Sequence, residues 1–386
     1  MATSFRKRVL LLDGHTRQVL PMAEALRRDD YWVGVVCRSR WDMGYVSRWP
    51  HARWLGPDPK TDPDGLVRFV AHLLAKEHFD VVIPLFDHAA EAVSRAKPEL
   101  SRYAWIAISD YECFMHARNK LQTMRDCAAL GVPCPTTVLD ENATVARIEA
   151  ELTYPLVIKP LKGDSAVGFN VVCNRASLEE TRRKTVARYG PVLVQEFIPQ
   201  TGLQYKAEIF VGNDGAMKAG VVFSKIRWYP VDGGSSTLNV TVARPDILET
   251  CMRLLRGINW HGYADVDLIQ DPRDDVAKVM EINPRITGSV KIAFAAGVDF
   301  ADMVVRHALG EEVRTTLEYK VGQYLRYFYK DILWFWDAPD RWRAKPSWFA
   351  FFSRNCTDQV MSLSDPLPGA VCAAQSFHEL IHRRRA

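Results

Sequence analysis

The chain has 386 residues, 48% of them hydrophobic and 25% charged, with a formal net charge of +4. That length supports a sizeable core in two or three structural units, and the weak, dispersed positive charge argues against a nucleic-acid partner. No apolar run approaches the ~20 residues of a membrane span, MATSFRKRVLLLDGHT lacks a signal-peptide pattern, and eight cysteines without CxxC or paired Cys/His spacing argue against a disulfide framework or structural zinc, so residence in the cytoplasm is the expectation.

Residues 1–117 read as an α/β unit. Val9 to Leu12 is a short buried strand ending at Asp13 and Gly14, Val19 to Arg28 is helical, and Trp32 to Cys37 is a second strand. A helix from Leu66 to Glu77 leads into strands at Val81 to Pro84 and Trp105 to Ser109. Such alternation predicts a parallel sheet with ligands at the carboxyl ends of its strands, near Asp13, Gly14, Arg38 or Asp87. No GxGxxG follows the first strand, so a dinucleotide fingerprint is absent. Tyr111 to Gly131 reads as one helix containing Lys120. Gly131 closes it, and Pro133 and Pro135 beyond mark a hinge.

In YPLVIKPLKGDSAVGF a strand delivers Lys159 into a basic loop of Lys162, Gly163, Asp164, Ser165 and Gly168. Glycine lets backbone N–H groups approach phosphate, and lysine supplies point charge. An ordinary hairpin turn is the alternative. GPVLVQEFIPQTG adds a buried strand at Val192 to Val194. Tyr205 to Phe210 and Met217 to Ser224 pair around the turn at 212–215. The following stretch, KIRWYPVDGGSSTLNVT (225–241), reads as a loop. Its Lys225 and Arg227 suit phosphate or carboxylate, with Gly233, Gly234, Ser235 and Ser236 lining an anionic site; ordinary loop composition competes with that reading.

YADVDLIQDPRDDVAKVMEINPRIT (263–287) reads as two strands joined by a polar turn. With a period of two, Asp265 and Asp267 share one face of the first strand, and Glu281 and Asn283 one face of the second. Oxygen-only donors of this kind suit Mg²⁺, while Arg285 is in reach of a phosphate. A solvated hairpin face is the bland alternative. Ser289 to Gly297 and Phe300 to Leu309 read as helices. Beyond 312, YLRYFYKDILWFWDAPDRWRAKPSWFAFF is aromatic and basic, and three readings compete: packing onto the body, a subunit interface, or contact with a membrane surface.

MEINPR, with the strand-loop-strand around Lys159 and the VQEFI strand in the same order, resembles the ATP-grasp family. The resemblance implies ATP and Mg²⁺, with Mn²⁺ as a substitute, and a fold that is α/β and α+β. An N-terminal parallel-sheet domain (1–117) would precede a two-lobed ATP-grasp fold, with a lid from 118 to 190, a catalytic part from 191 to 312 and an extension from 313 to 386. It implies metal ligation by Asp267, Glu281 and Asn283, phosphate contacts from Lys120, Lys159 and the lid loop, and adenine contacts near Glu196, Phe197 and Ile198. The glutamate that commonly binds ribose is missing, leaving Gln204 or Glu208 as candidates. Arg285, Lys225, Arg227 and Asp265 would serve transition-state charge or substrate. The activity implied is carboxylate-amine ligation through an acyl phosphate, as in enzymes related to D-aspartate ligase and the carbamoyl-phosphate synthase large chain. Its substrates would be a small carboxylate and an amine, and a homodimer is the usual state. A nucleotide sensor and a small-molecule kinase use the same parts.

Overall fold

The computed structural model describes residues 5–163, 167–199, 203–231, 234–350 and 355–383. Five strands open the chain: β1 Arg8–Leu11, β2 Trp32–Cys37, β3 Ala52–Leu55, β4 Val81–Ile83 and β5 Trp105–Ile106. They form a parallel sheet in the order β3-β2-β1-β4-β5. Parallel neighbours need crossovers, and helices such as Val19–Arg28 and Pro63–Lys76 supply them. The second of these starts sharply, because Pro63 fits its first turn and the Asp62 carboxylate accepts from Gly65 N–H at 2.8 Å. Strand order reverses between β1 and β4, so a crevice opens at their carboxyl ends. Asp13 clasps it. Held at φ 61°, its Oδ2 accepts from the N–H groups of Leu85 and Phe86 at 3.1 and 2.9 Å, just past β4.

The expected helix at 111–131 is two helices, Tyr111–Arg118 and Lys120–Leu130. Asn119 makes the break, since it leaves helical geometry and its Oδ1 accepts from the N–H groups of Leu121 and Gln122. A small antiparallel sheet follows, ordered β7-β6-β8, from β6 Leu156–Pro160, β7 Asn170–Val172 and β8 Val192–Glu196. It has a core of its own, in which Leu156, Ile158, Val172 and Val194 meet Ile148 and Leu178 from the flanking helices. β8, read above as opening the next unit, is an edge strand of this sheet.

Seven strands build the main sheet: β9 Gln204–Val211, β10 Met217–Tyr229, β11 Ser235–Thr241, β12 Gly262–Gln270, β13 Ala277–Asn283, β14 Tyr324–Arg326 and β15 Cys356–Asp358. Their order is β13-β12-β9-β10-β11-β14-β15, antiparallel except for the last pair. Most of the expected 225–241 loop is therefore strand. β10 runs on to Tyr229, and the chain returns through β11 with a register shift around Arg227. Ile226, Trp228 and Tyr229 in β10 and Thr237, Val240 and Thr241 in β11 favour strand, and that preference outweighs the two cations and the serine hydroxyls. The C-terminal segment packs onto the body: β14 and β15 extend the main sheet, and helix Phe328–Asp337 lies against β10 and β11. One apolar core joins the first and main sheets, with Val9, Val35 and Ile83 continuous with Phe210, Val221, Val290 and Phe300. The small sheet, by contrast, contributes none of its described strand residues to that core.

Burial pushes the Asp13 carboxyl up to about 7, against the two N–H donors that favour its ionised form. The folded chain therefore binds a proton that the unfolded chain releases near 3.8, and stability falls as pH rises from there through 7. Asp13→Asn keeps an acceptor that tolerates this backbone. Denaturant titrations at pH 4 and pH 8 should show wild type losing more than ~1 kcal/mol relative to the variant over that interval; parallel pH profiles would contradict this.

Candidate functional site

The crevice of the first sheet, the small sheet and the face of the main sheet enclose a cleft of about 440 Å³, within the range of small-molecule sites. β12 supplies its central acid. Pairing sets Asp267 opposite Glu281 on β13 and opposite Lys206 on β9, so three charged side chains from three strands meet on one face. Lys206 Nζ reaches Asp267 Oδ2 at 3.0 Å and also pairs with Asp265. Lys225 Nζ lies 2.7 Å from Asp267 Oδ1, and Asn283 Nδ2 donates to Asp267 Oδ2 at 3.0 Å. Lys120, at the start of its helix, bridges the lobes: its Nζ is 2.9 Å from Glu281 Oε2 and donates to the Gly163 carbonyl at 2.8 Å. Lys159 Nζ is buried at the base of the small sheet, 3.4 Å from the Met280 carbonyl.

Electrostatics separates the two aspartates. Burial raises both, but Lys206 and Lys225 more than offset it at Asp267, whose carboxyl is held well below the usual range. Asp265 is wholly buried and keeps one cation, so burial pushes it up to about 6 despite Lys206. Burial lowers Lys159 to about 8, with Lys120 adding repulsion and Glu281 opposing both. A buried lysine whose charge is disfavoured by burial and by a neighbouring cation is a site that gains from an anion.

Of the residues singled out from the sequence, Lys120, Lys159, Lys162, Gly163, Gln204, Lys225, Gly234, Ser235, Ser236, Asp267, Glu281, Asn283 and Arg285 line the cleft. Ser165 and Gly233 lie outside the described residues. Arg227 does not face it. The irregular register turns this side chain to the opposite side, where it is 4% exposed, 3.2 Å from Asp331 and stacked on Trp334. Asp265 stands behind Lys206, away from the cavity. Glu208 is buried too, accepting from Thr287 and Ser289 hydroxyls at 3.1 and 3.0 Å; it orients cleft-lining hydroxyls and is not itself exposed for a ribose. Glu196 is occupied at the seam between the lobes, with Arg273 at 2.5 Å and Thr136 N–H at 2.8 Å. Phe197, Ile198 and Gly168 also fall outside the lining. Gly168 instead lets the lid turn close, because a Cβ there would meet Pro160 at 2.7 Å. Sequence reasoning missed Lys206, although Gln204, Lys206 and Glu208 alternate through an apolar strand and so mark one polar face. Arg17, Phe86 and Gln359 were missed as well.

The donor chemistry fits Mg²⁺: two carboxylates and an amide, all oxygen donors, on neighbouring strands. Among the described residues no three His, Cys, Asp or Glu side chains converge on a metal position. Arg285 is spoken for differently than expected. Its Nη2 and Nε hold Asp87 at 2.7 and 3.1 Å, tying the cleft to the first sheet, while Arg118 approaches the same carboxylate at 3.8 Å. Those cations outweigh the effect of burial and hold Asp87 below the ordinary carboxylate value.

The fold defines a two-lobed α/β protein with a cleft between the small sheet and the main sheet, lined by lysines and oxygen donors. Residues 117–289 match the profile described as the ATP-grasp domain. D-aspartate ligase of Enterococcus faecium is 27% identical over 256 residues, which cover 60% of this chain and 60% of that protein. The match thus spans well under two thirds of that relative. In fold, the chain is similar to a biotin carboxylase from Campylobacter jejuni (TM-score 0.70, 14% identity, 82% of this chain and 74% of that one). An L-amino acid ligase from Bacillus licheniformis is also similar (TM-score 0.62, 21% identity, 81% and 78%). Among the described residues no helix is long and apolar enough to cross a membrane.

Asp87→Ala would remove the buried carboxylate that Arg285 grips through two nitrogens and that Arg118, itself paired with Glu91, also approaches. A loss of about 3 kcal/mol is expected in urea denaturation, and Arg285→Met should recover part of it in the double variant. If Asp87→Ala and Arg285→Met costs simply add, the pair is not coupled.

Proposed function

We propose that the protein is an ATP-dependent carboxylate-amine ligase that works through an acyl phosphate and releases ADP and phosphate. The observation that carries this reading is the meeting of Lys120, Lys159 and Lys225 with Asp267, Glu281 and Asn283 in one cleft between two lobes. Cations from the small sheet and the main sheet line the same cleft there, beside an oxygen-donor set. Lys159 and Lys120 would take phosphate oxygens, and Lys162 and Gly163 would close over them. Leu268, Ile269 and Met280 supply the apolar wall for a base, and Gln204 offers the polar contact for its sugar. Mg²⁺, held by Asp267, Glu281 and Asn283, would supply the charge that neutralises crowded phosphate oxygens.

In the reaction, a carboxylate oxygen of the acid attacks the γ-phosphorus and the bond to the β,γ-bridging oxygen breaks, giving acyl phosphate and ADP. The amine nitrogen then attacks the acyl carbon, phosphate leaves with the former carboxylate oxygen, and the nitrogen loses a proton. Lys225 and Lys206 keep Asp267 ionised throughout the working pH range. Arg285, fixed by Asp87, contributes positive potential at the acceptor end. Gly234, Ser235 and Ser236 border that end with small polar groups, and the lid keeps water from the acyl phosphate.

ATP turnover with Mg²⁺ against a panel of small acids and amines, run beside Glu281→Gln, tests this. Turnover that needs both an acid and an amine, and falls at least a hundredfold in the variant, is the expected result. A stable phosphorylated acid would make the protein a kinase. Saturable ATP binding with no stimulation by any pair would favour a nucleotide sensor.

A further inference from the structure

At the end of the cleft away from the lid, two polar atoms wait without partners. Gln359 is 3% exposed and lines the cavity, and among the described residues its Oε1 has no hydrogen-bond partner. Arg17 lines the same cavity, and its buried Nη1 likewise has none. A buried polar atom left unsatisfied carries a desolvation cost that a hydrogen-bonding ligand removes.

Both are pre-oriented. Arg17 follows β1, at the carboxyl end of the parallel sheet, and its guanidinium lies 4.1 Å above the Tyr327 ring. Gly288 flanks it on another side, where a Cβ would stand 3.1 Å from Nη2. Gln359 follows β15, and its N–H donates at 2.7 Å to the carbonyl of Arg326, the neighbour of Tyr327. One segment, Arg326 and Tyr327, therefore anchors a cationic donor and a neutral acceptor in the same cavity. Neighbouring groups are committed elsewhere: Gln18 Nε2 donates to the Leu85 carbonyl at 2.7 Å, and Thr287 and Ser289 serve Glu208.

We propose that Arg17 and Gln359 form a subsite for an α-amino acid acting as the amine substrate, with its carboxylate on Arg17 Nη1 and an amino N–H on Gln359 Oε1. The proposal rests on the ligase reading and adds the substrate class to it. A simple acid satisfies only the arginine, and a simple amine only the glutamine. An α-amino acid presents both groups from one carbon. Its carboxylate, held by Arg17, is kept from phosphorylation. Because the amide of Gln359 is uncharged, it accepts the N–H without the strong preference for ammonium that a carboxylate would impose, so the nitrogen can lose its proton and attack. Both residues lie outside the 117–289 match, so this specificity comes from parts of the chain beyond the ATP-grasp domain.

The test is ligand-observed NMR with the twenty protein amino acids and their D-enantiomers, in the presence of Mg²⁺ and a non-hydrolysable ATP analogue. The matched amines that lack the carboxylate run alongside. At least one amino acid should bind wild type, and Arg17→Gln should weaken it roughly tenfold or more while leaving the matched amine unchanged. Gln359→Leu should weaken both, and unchanged affinity for the ATP analogue reports that each variant is folded. Absence of amino-acid binding to wild type, or equal losses for amine and amino acid in Arg17→Gln, would overturn the subsite. Amino-acid binding that depends on Arg17, without ATP turnover by any pair, supports the subsite and sinks the ligase reading. ATP turnover that both variants leave untouched does the reverse.

Discussion

The charge cluster of Lys206, Asp265, Asp267 and Lys225 is the constraint on which the cleft depends. Isolated charges in such a place would cost several kcal/mol apiece, so acids and lysines must be matched and must sit on a rigid frame. Strand register provides the match. β9 places Lys206 directly opposite Asp267, and β13 places Glu281 opposite the same residue from the other side. A one-residue slip of either neighbour would send its charge to the apolar face, against Val266, Leu268 and Ile282. Folding of the main sheet and assembly of the site are thus one event. Lys120, Lys206 and Lys225 are already paired inside the protein, so a polyanion bound there would exchange partners with them.

Around that frame, three parts of the chain contribute separable functions. The small sheet has its own core and brings Lys159 and Lys162, which makes it the natural moving part. The first sheet is fused to the main sheet through a common core and through Asp87 with Arg285, so its crevice is fixed relative to Asp267. The C-terminal segment adds β14, β15 and a helix to the main sheet and delivers Gln359 to the cavity. Its buried Asp331, held by Arg227 and Arg326, fastens the helix to β10 and β14. The match to the ATP-grasp domain covers the charge cluster, and the flanking parts add Arg17 and Gln359 to the same cavity.

Much of this was legible in the sequence where local pattern and final environment coincide. The alternation in ADVDLI and MEIN predicted two strands with acids on one face, and the parallel βα pattern of the first hundred residues predicted the crevice. Tertiary pairing was not legible. Nothing local in FSKIRWY distinguishes a loop arginine from one buried against Asp331, a hundred residues later. Glu208 was read as a candidate sugar contact because the usual glutamate is missing and Glu208 lies farther along the strand, yet the hydroxyls that cover it come from Thr287 and Ser289. Arg17 and Gln359 carry no motif at all, and only the three-dimensional fold sets them in one cavity.

The measurement that tests the account most directly is equilibrium binding of ATP by calorimetry, with and without Mg²⁺, to wild type and to Lys159→Met. The account predicts saturable one-to-one binding that Mg²⁺ strengthens and that Lys159→Met weakens at least tenfold, since the variant removes a buried cation from the phosphate end. Failure of wild type to bind Mg-ATP, or binding indifferent to Lys159, would contradict it.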